Sequence, residues 1–142
     1  MKDYGAPHSN EVARFLEEFY RKYSDGFINV PTWEEIKDEP ARYYVLYDDS
    51  KTTLEEAVIG VGAVRIANGY IKRVVIRKDM RGRGLGKLLL THLISVAANR
   101  NDHVTLHVRK NNTVMRHIVE KLGFQIKEED ENSYLYELRI VE

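Results

Sequence analysis

Two stretches with strand character, residues 57–67 and 70–77, are separated only by Asn68-Gly69. An Asn-Gly pair accepts the positive φ angles of a tight two-residue turn, whose twist matches that of the strands it joins. The two stretches are therefore expected to lie side by side and antiparallel. The chain then leaves the second strand from a hairpin, which argues against the parallel strand–helix–strand start of a doubly wound sheet. It continues into RGRGLGK, residues 81–87, and then into a helical pattern.

The remaining segments complete an α+β pattern. Ser9 caps a helix over residues 10–23, with Val12, Phe15, Leu16, Phe19 and Tyr23 as its apolar stripe. Pro31-Thr32 opens a short second helix over 33–37, stopped before Pro40. Residues 43–47 read as a strand and 50–56 as a polar loop. After the glycine-rich loop a helix spans 84–99, with Leu85, Leu88, Leu89, His92, Leu93 and Val96 on its buried side. A strand over 104–108 precedes a helix over 113–121, with Met115, Ile118, Val119 and Leu122 inward and Gly123 as C-cap. Two strands, 124–127 and 134–141, close the chain around an acidic turn. The order is αα-βββ-α-β-α-ββ, which predicts a mostly antiparallel sheet flanked by helices. With 142 residues and no repeat or linker, one domain over residues 1–142 is expected.

Composition removes several functions. Lys+Arg and Asp+Glu are both 22, so net charge draws the chain to neither nucleic acid nor membrane. A nucleic-acid binder would depend on the basic segment from Lys72 to Lys87, with no readout motif beside it. Cysteine is absent, which excludes disulfides, thiol nucleophiles and thiolate metal sites, and no metal is expected. The opening MKDYGAPHSNEV has no apolar region of a signal peptide, and no apolar run reaches membrane-spanning length. A cytoplasmic location is the expectation.

The glycine-rich stretch fails two phosphate-binding patterns by spacing. A Walker A loop needs glycine where Arg81 stands and a hydroxyl where Leu88 stands. A dinucleotide fingerprint needs a third glycine, which falls on Lys87 or Leu89, and the next strand ends in Arg109-Lys110 instead of an acid. A third pattern fits, Arg/Gln-x-x-Gly-x-Gly/Ala, met by Arg81, Gly84 and Gly86. Glycines let the main chain approach a ligand closely, and the first amides of the following helix point at it. Helix first turns favour acids, yet this one carries Arg83 and Lys87 and no acid from Met80 through Asn101. A bound anion would supply the missing charge.

At this point the sequence resembles the GNAT superfamily of acyl-CoA-dependent N-acetyltransferases, over about residues 57–127. VVIRKDMRGRGLGK resembles the family's coenzyme-holding strand, loop and helix; HVTLHVRKNNTVMRHIVEKLGF resembles its later strand, asparagine and closing helix. The resemblance implies a sheet splayed between the strand at Val74–Ile76 and the strand at Val104–Val108. It implies acetyl-CoA as cosubstrate, with pantetheine along Val74, Val75 and Ile76 and pyrophosphate on the amides of Gly82, Arg83, Gly84, Leu85, Gly86 and Lys87. Asn112 matches the asparagine that contacts the coenzyme, Arg81 opens the motif, and Lys78, Arg83, Lys87 and Lys110 are available to the phosphates. A strand amide near Ile76 would stabilise the oxyanion.

The same resemblance exposes two departures. The family often carries a Glu or His base where this chain has Tyr70 or Lys72, and a tyrosine acid where it has Val119. Three readings stay open: ordered water carries the proton; another residue does, with Tyr70, His107, His117 and Tyr134 as candidates; or the chain is a non-catalytic CoA or acyl-CoA sensor. His107 should face away from Leu106 and Val108, toward either the cleft or the opposite layer. The first helices and the segments near Trp33 and residues 43–47 would border the amine acceptor and are acidic and aromatic, which suits a cation. The family's first strand is here either missing or very short. The acceptor stays open among small amines, peptides and proteins, and so does a homodimer.

Overall fold

The computed structural model describes residues 2–5 and 9–140. The chain runs β1 (Lys2–Gly5), α1 (Asn10–Tyr23), α2 (Trp33–Asp38), β2 (Arg42–Tyr47), α3 (Leu54–Ala57), β3 (Val58–Arg65), β4 (Tyr70–Ile76), a 3-10 turn (Lys78–Met80), α4 (Leu85–Ala98), β5 (His103–Arg109), α5 (Thr113–Lys121), β6 (Gln125–Glu129) and β7 (Ser133–Arg139). The first strand therefore exists and is very short. Four residues are too few for a period-2 signal, and β1 is defined by its pairing with β2. The expected polar loop over 50–56 contains a helical turn, because the Thr53 hydroxyl accepts from the Glu56 amide at 3.3 Å and starts α3.

The strands form one sheet in the order β1-β2-β3-β4-β5-β7-β6. Every neighbouring pair is antiparallel except β4–β5. The expected hairpin joins β3 to β4, but through a four-residue turn over 66–69 instead of a two-residue one: Arg65 pairs with Tyr70, the Gly69 amide donates to the Arg65 carbonyl at 3.0 Å, and of the Asn-Gly pair Gly69 alone takes a positive φ, 69°. Parallel β4 and β5 pair only through Tyr70↔Thr105 and Ile71↔Leu106. Beyond Ile71 they part, and their facing edges carry backbone groups with no ladder partner.

Each face of the sheet has its own core. Ala13, Leu16, Phe19, Tyr20 and Ile36 of α1 and α2 pack on Tyr43, Val45, Val61 and Val75. On the other face Leu89, Leu90, Leu93 and Ala97 of α4, with Val119 of α5, pack on Tyr44, Val64, Ile71 and Leu106. The buried stripe of α4 is turned from the one its sequence suggests: Leu88 is 53% exposed and Leu90 is fully buried. Gly62 in β3 lets α4 lie close, since a Cβ there would stand 2.5 Å from Leu93 Cδ1.

A bulge interrupts β4. Val61 pairs with Val75 but Ala63 pairs with Lys72, so β4 spends one extra residue. Arg73 takes a left-handed φ of 57°, which costs a non-glycine residue about 1–3 kcal/mol. Surrounding groups hold it there. The Tyr20 hydroxyl donates to the Arg73 carbonyl at 2.7 Å. Arg73 Nη1 donates to Glu39 and, at 2.7 Å, to the Tyr43 hydroxyl, while Lys72 Nζ reaches the other Glu39 oxygen at 2.6 Å. The three charged side chains are only 14–18% exposed. Burial pushes the Tyr20 and Tyr43 hydroxyls above their ordinary pKa, so both stay protonated donors.

Two of these local structures can be tested directly. Glu39→Gln leaves Lys72 and Arg73 facing each other without their shared counter-charge, and should cost about 3 kcal/mol. Thermal unfolding checks this, with a drop on the order of 10 °C expected. In the β6–β7 turn, the Asp130 carboxylate accepts from the Asn132 amide (2.8 Å), the Ser133 amide (2.7 Å) and the Ser133 hydroxyl (3.0 Å). These bonds, the Asn132 amide foremost, hold its pKa below the usual carboxylate range. A lowered folded pKa gives stability that is present above the unfolded value near 4 and is lost as pH falls through the folded one. Exchange protection at Asn132 and Ser133 should therefore fall on acidification below about pH 4, and Asp130→Asn should abolish that dependence.

Candidate functional site

Where β4 and β5 part, a cleft of about 490 Å³ opens. Its interior is apolar, with Ile71, Val74 and Ile76 from β4, Leu106 and Val108 from β5, and Ile118 from α5. The bulge sets which β4 side chains enter it. Strict alternation would put Val75 on the face of Ile71; instead Val74 and Ile76 join the α4 side and Val75 turns to α1.

One end of the cleft is the glycine-rich loop. Gly82 and Gly84 have φ of 79° and 78°, a region that costs a side chain strain. Gly84 is the N-cap of α4 and supplies no side-chain bond to it. The other four described α-helices start on side-chain caps: Ser9, Thr32, Thr53 and Asn112. The first amides of α4 thus lack the side-chain partner that those helices have. Arg83 and Lys87 are exposed, and neither has a carboxylate partner among the described residues. A Cβ on Gly86 would lie 3.5 Å from Ile118 Cδ1 and 3.7 Å from Ile76 Cγ1, between two side chains that line the cleft. The result is a cationic helix start beside an apolar trench, fit for a ligand with a phosphate end and a slender neutral arm.

Other residues singled out from the sequence have different local duties. The Arg81 guanidinium is fully engaged: Nε donates to the Ile76 carbonyl at 2.9 Å, Nη2 to the Tyr23 carbonyl at 2.7 Å, and Nη1 to Asp25. It staples the loop to β4 and to the end of α1, and holds the Asp25 carboxyl below its ordinary range. Asn112 caps α5, its Oδ1 accepting from the Met115 amide at 3.2 Å, and it lines the cleft as well. Lys110 is bound to Glu129 at 2.6 Å and lies over the Tyr134 ring, away from the loop. Tyr134 sits between that lysine and Arg116, whose guanidinium is 4.8 Å from the ring centroid. His117 is exposed at the cleft rim.

Tyr70 and His107 come together. On β5, Val104, Leu106 and Val108 face the α4 core, which leaves His107 and Arg109 on the opposite face with Tyr70 and Lys72. The Tyr70 hydroxyl lies 2.7 Å from His107 Nδ1. Burial raises the Tyr70 pKa, so the hydroxyl keeps its proton at neutral pH and is the donor when Nδ1 accepts. A second cavity of about 600 Å³ adjoins the first, between the α1–α2 connection and the β6–β7 turn. Tyr70 lines the second cavity, and His107 lines both.

Sequence reading missed the Glu39 cluster, Arg109 and Asn29. Arg109 Nη2 donates to Asn29 Oδ1 at 3.4 Å across 80 positions of sequence, a separation no local pattern signals. It also placed the acidic and aromatic segments near Trp33 and 43–47 at the acceptor side. Tyr43 and Tyr44 are core residues, and Glu39 is neutralised by Lys72 and Arg73, because β2 is an inner strand covered on both faces.

Comparison with known proteins agrees with this geometry. The family model described as acetyltransferase (GNAT) family matches residues 10–124. No curated protein matches the sequence. Among solved structures, a GNAT-family acetyltransferase from Streptococcus pneumoniae is 19% identical, covers 99% of each chain and superposes with a TM-score of 0.70. NAA60 from Arabidopsis thaliana, in complex with a bisubstrate analogue, is 16% identical over 99% of this chain and 100% of its own, with a TM-score of 0.75. A spermidine N-acetyltransferase SpeG variant from Vibrio cholerae is 14% identical over 98% of this chain and 95% of its own, with a TM-score of 0.72. These structural likenesses establish a shared fold, and the family model, which spans most of the sequence, establishes membership: the chain belongs to the GNAT acetyltransferase family.

Proposed function

We propose that this chain, acting as one domain, is an N-acetyltransferase that moves an acetyl group from acetyl-CoA to an amine. The observation that carries the reading is the start of α4, with a glycine that gives no side-chain cap, cations that have no carboxylate partner among the described residues and an apolar cleft leading away from it. A protein of the same fold, NAA60, has been solved with acetyl-CoA. In the proposed complex the amides of residues 82–87 and the Arg83 and Lys87 side chains take the phosphates. Val74, Val75 and Ile76 border the pantetheine arm, and Asn112 offers its side-chain NH2 from the far wall. Arg81 acts indirectly, by fixing the loop.

Acetyl-CoA supplies an activated acyl carbon: a bond from that carbon to the amine nitrogen forms, the carbon–sulfur bond breaks, and one proton passes from nitrogen to sulfur. In this reading His107 carries that proton, at the junction of the two cavities. Tyr70 works through His107: its hydroxyl would pass its proton to Nδ1 as its oxygen takes one from the amine, and Nε2, which carries hydrogen in the resting state, would give one to the leaving sulfur. The pair thus relays a proton from one cavity to the other.

Calorimetric titration with acetyl-CoA and CoA tests the binding half. Wild-type protein should bind both, and Gly86→Val, which fills the gap between Ile76 and Ile118, should weaken binding more than tenfold with an unchanged circular-dichroism spectrum. Equal affinity in the variant would reduce the loop to a connection. For the chemical half, His107→Gln should lower kcat by about a hundredfold or more. Tyr70→Phe should have a smaller effect and move the acidic limb of the pH profile. A profile untouched by either substitution would remove the pair from the mechanism.

A second reading, a CoA or acyl-CoA sensor without turnover, is favoured by Val119, which stands where many relatives carry a tyrosine acid and is fully buried. Thiol release with any amine decides against it.

A further inference from the structure

Six residues line both cavities and so form the passage between them: Phe27, Ile28, Lys72, Arg73, His107 and Arg109. Under the transferase reading, on which this inference rests, the acceptor amine meets the thioester there. The passage holds three cations and no carboxylate. Glu39 offsets one charge from behind, bridging Lys72 and Arg73. Arg109 has no carboxylate partner among the described residues, and the one hydrogen bond its side chain makes among them, to Asn29, is long at 3.4 Å. The acids on the outer rim are Asp130 and Glu131. Asp130 accepts three bonds from neutral groups of its own turn, which fix it at the rim and leave its charge in place there.

We infer that the acceptor is a small amine that carries its own carboxylate, of free amino acid to dipeptide size, with the carboxylate held by Arg109 and the amine directed to His107. Three points support this. First, an unpaired guanidinium fork in a recess is matched to a carboxylate in geometry and charge. Second, His107 and Arg109 lie two residues apart on one face of β5, roughly 7 Å along the strand. That is within reach of a compound whose amine and carboxylate are separated by one to a few carbons. Third, cations around the passage disfavour an ammonium, so they repel polyamines and promote the neutral, nucleophilic form of an amine that a carboxylate has anchored. This offsets the absence of a carboxylate base on β4. The spermidine acetyltransferases share the fold, and the cationic passage separates this chain from such an acceptor.

The test uses the full chain. Acetyl-CoA binding is measured first by calorimetry; if none occurs, the transferase reading itself fails. Thiol release is then compared within matched pairs: glycine, β-alanine, 4-aminobutyrate, L-leucine, L-glutamate and glycylglycine, each against the amide or the decarboxylated amine, with spermidine as the polycation. The expected result is a preference of at least tenfold in kcat/KM for carboxylate-bearing members. Arg109→Gln should erase that preference by raising KM for those acceptors, with acetyl-CoA affinity changed less than threefold. Arg109→Lys should restore part of it. A merely structural role for Arg109 would lower rates for both members of each pair alike and would overturn the assignment. So would equal or better rates with the partners that lack the carboxylate, a preference for spermidine, or acetyl-CoA binding with no carboxylate-bearing compound acetylated.

Discussion

The early end of the β4–β5 ladder governs what this molecule can hold. Two parallel strands bonded only at Tyr70↔Thr105 and Ile71↔Leu106 leave two sheet edges facing each other inside the fold. Such edges are costly unless something occupies the gap. The β4 bulge keeps them apart by adding a residue and a local twist at Arg73. A left-handed arginine does not hold itself there. Tyr20 from α1, Glu39 from the end of α2 and Tyr43 from β2 converge on it, so three elements distant in sequence stabilise one strained backbone position. The cleft is therefore a property of the whole α1–α2 layer as much as of the strands that line it.

Charge is distributed with the same economy. Arg77 is paired with Asp79, Arg81 with Asp25, Lys110 with Glu129 and Lys127 with Glu137. Where an anion would sit, the described residues leave cations without carboxylate partners: Arg83 and Lys87 at the start of α4, and Arg109 at the passage. A neutral chain with 22 charges of each sign can thus present two local anion sites, because a bound anion meets the charges within screening distance and not their sum over the chain. Net charge alone hid this.

Much of the fold was legible in short patterns. Ser9, Thr32 and Gly123 mark helix ends where the structure has them, and Asn68-Gly69 turns β3 onto β4. Failures came where tertiary contact outvoted local pattern. Leu88 fits a helical stripe, yet α4 rolls toward Leu90 because Gly62 and the β3 surface set the contact. Lys72 stands at a position where the family often carries a base, and in the fold it is one arm of an ion-paired cluster. Of the proton-carrier candidates, Tyr70 and His107 are 37 residues apart in sequence, and only the parallel register of β4 and β5 brings them to one bond.

By itself the sequence determined the hairpin, the order of the longer elements, the glycine loop at the start of α4 and hence the family, since each rests on residues within a few positions of one another. Only the tertiary structure decided where β4 and β5 separate, how Glu39 is consumed, and which cations remain for a ligand. Those outcomes depend on which distant side chains meet, and a charge's availability is set by its neighbours in space: Arg81 and Arg83 are alike in sequence, but one is bound to Asp25 and two carbonyls while the other is left to solvent or to an anion.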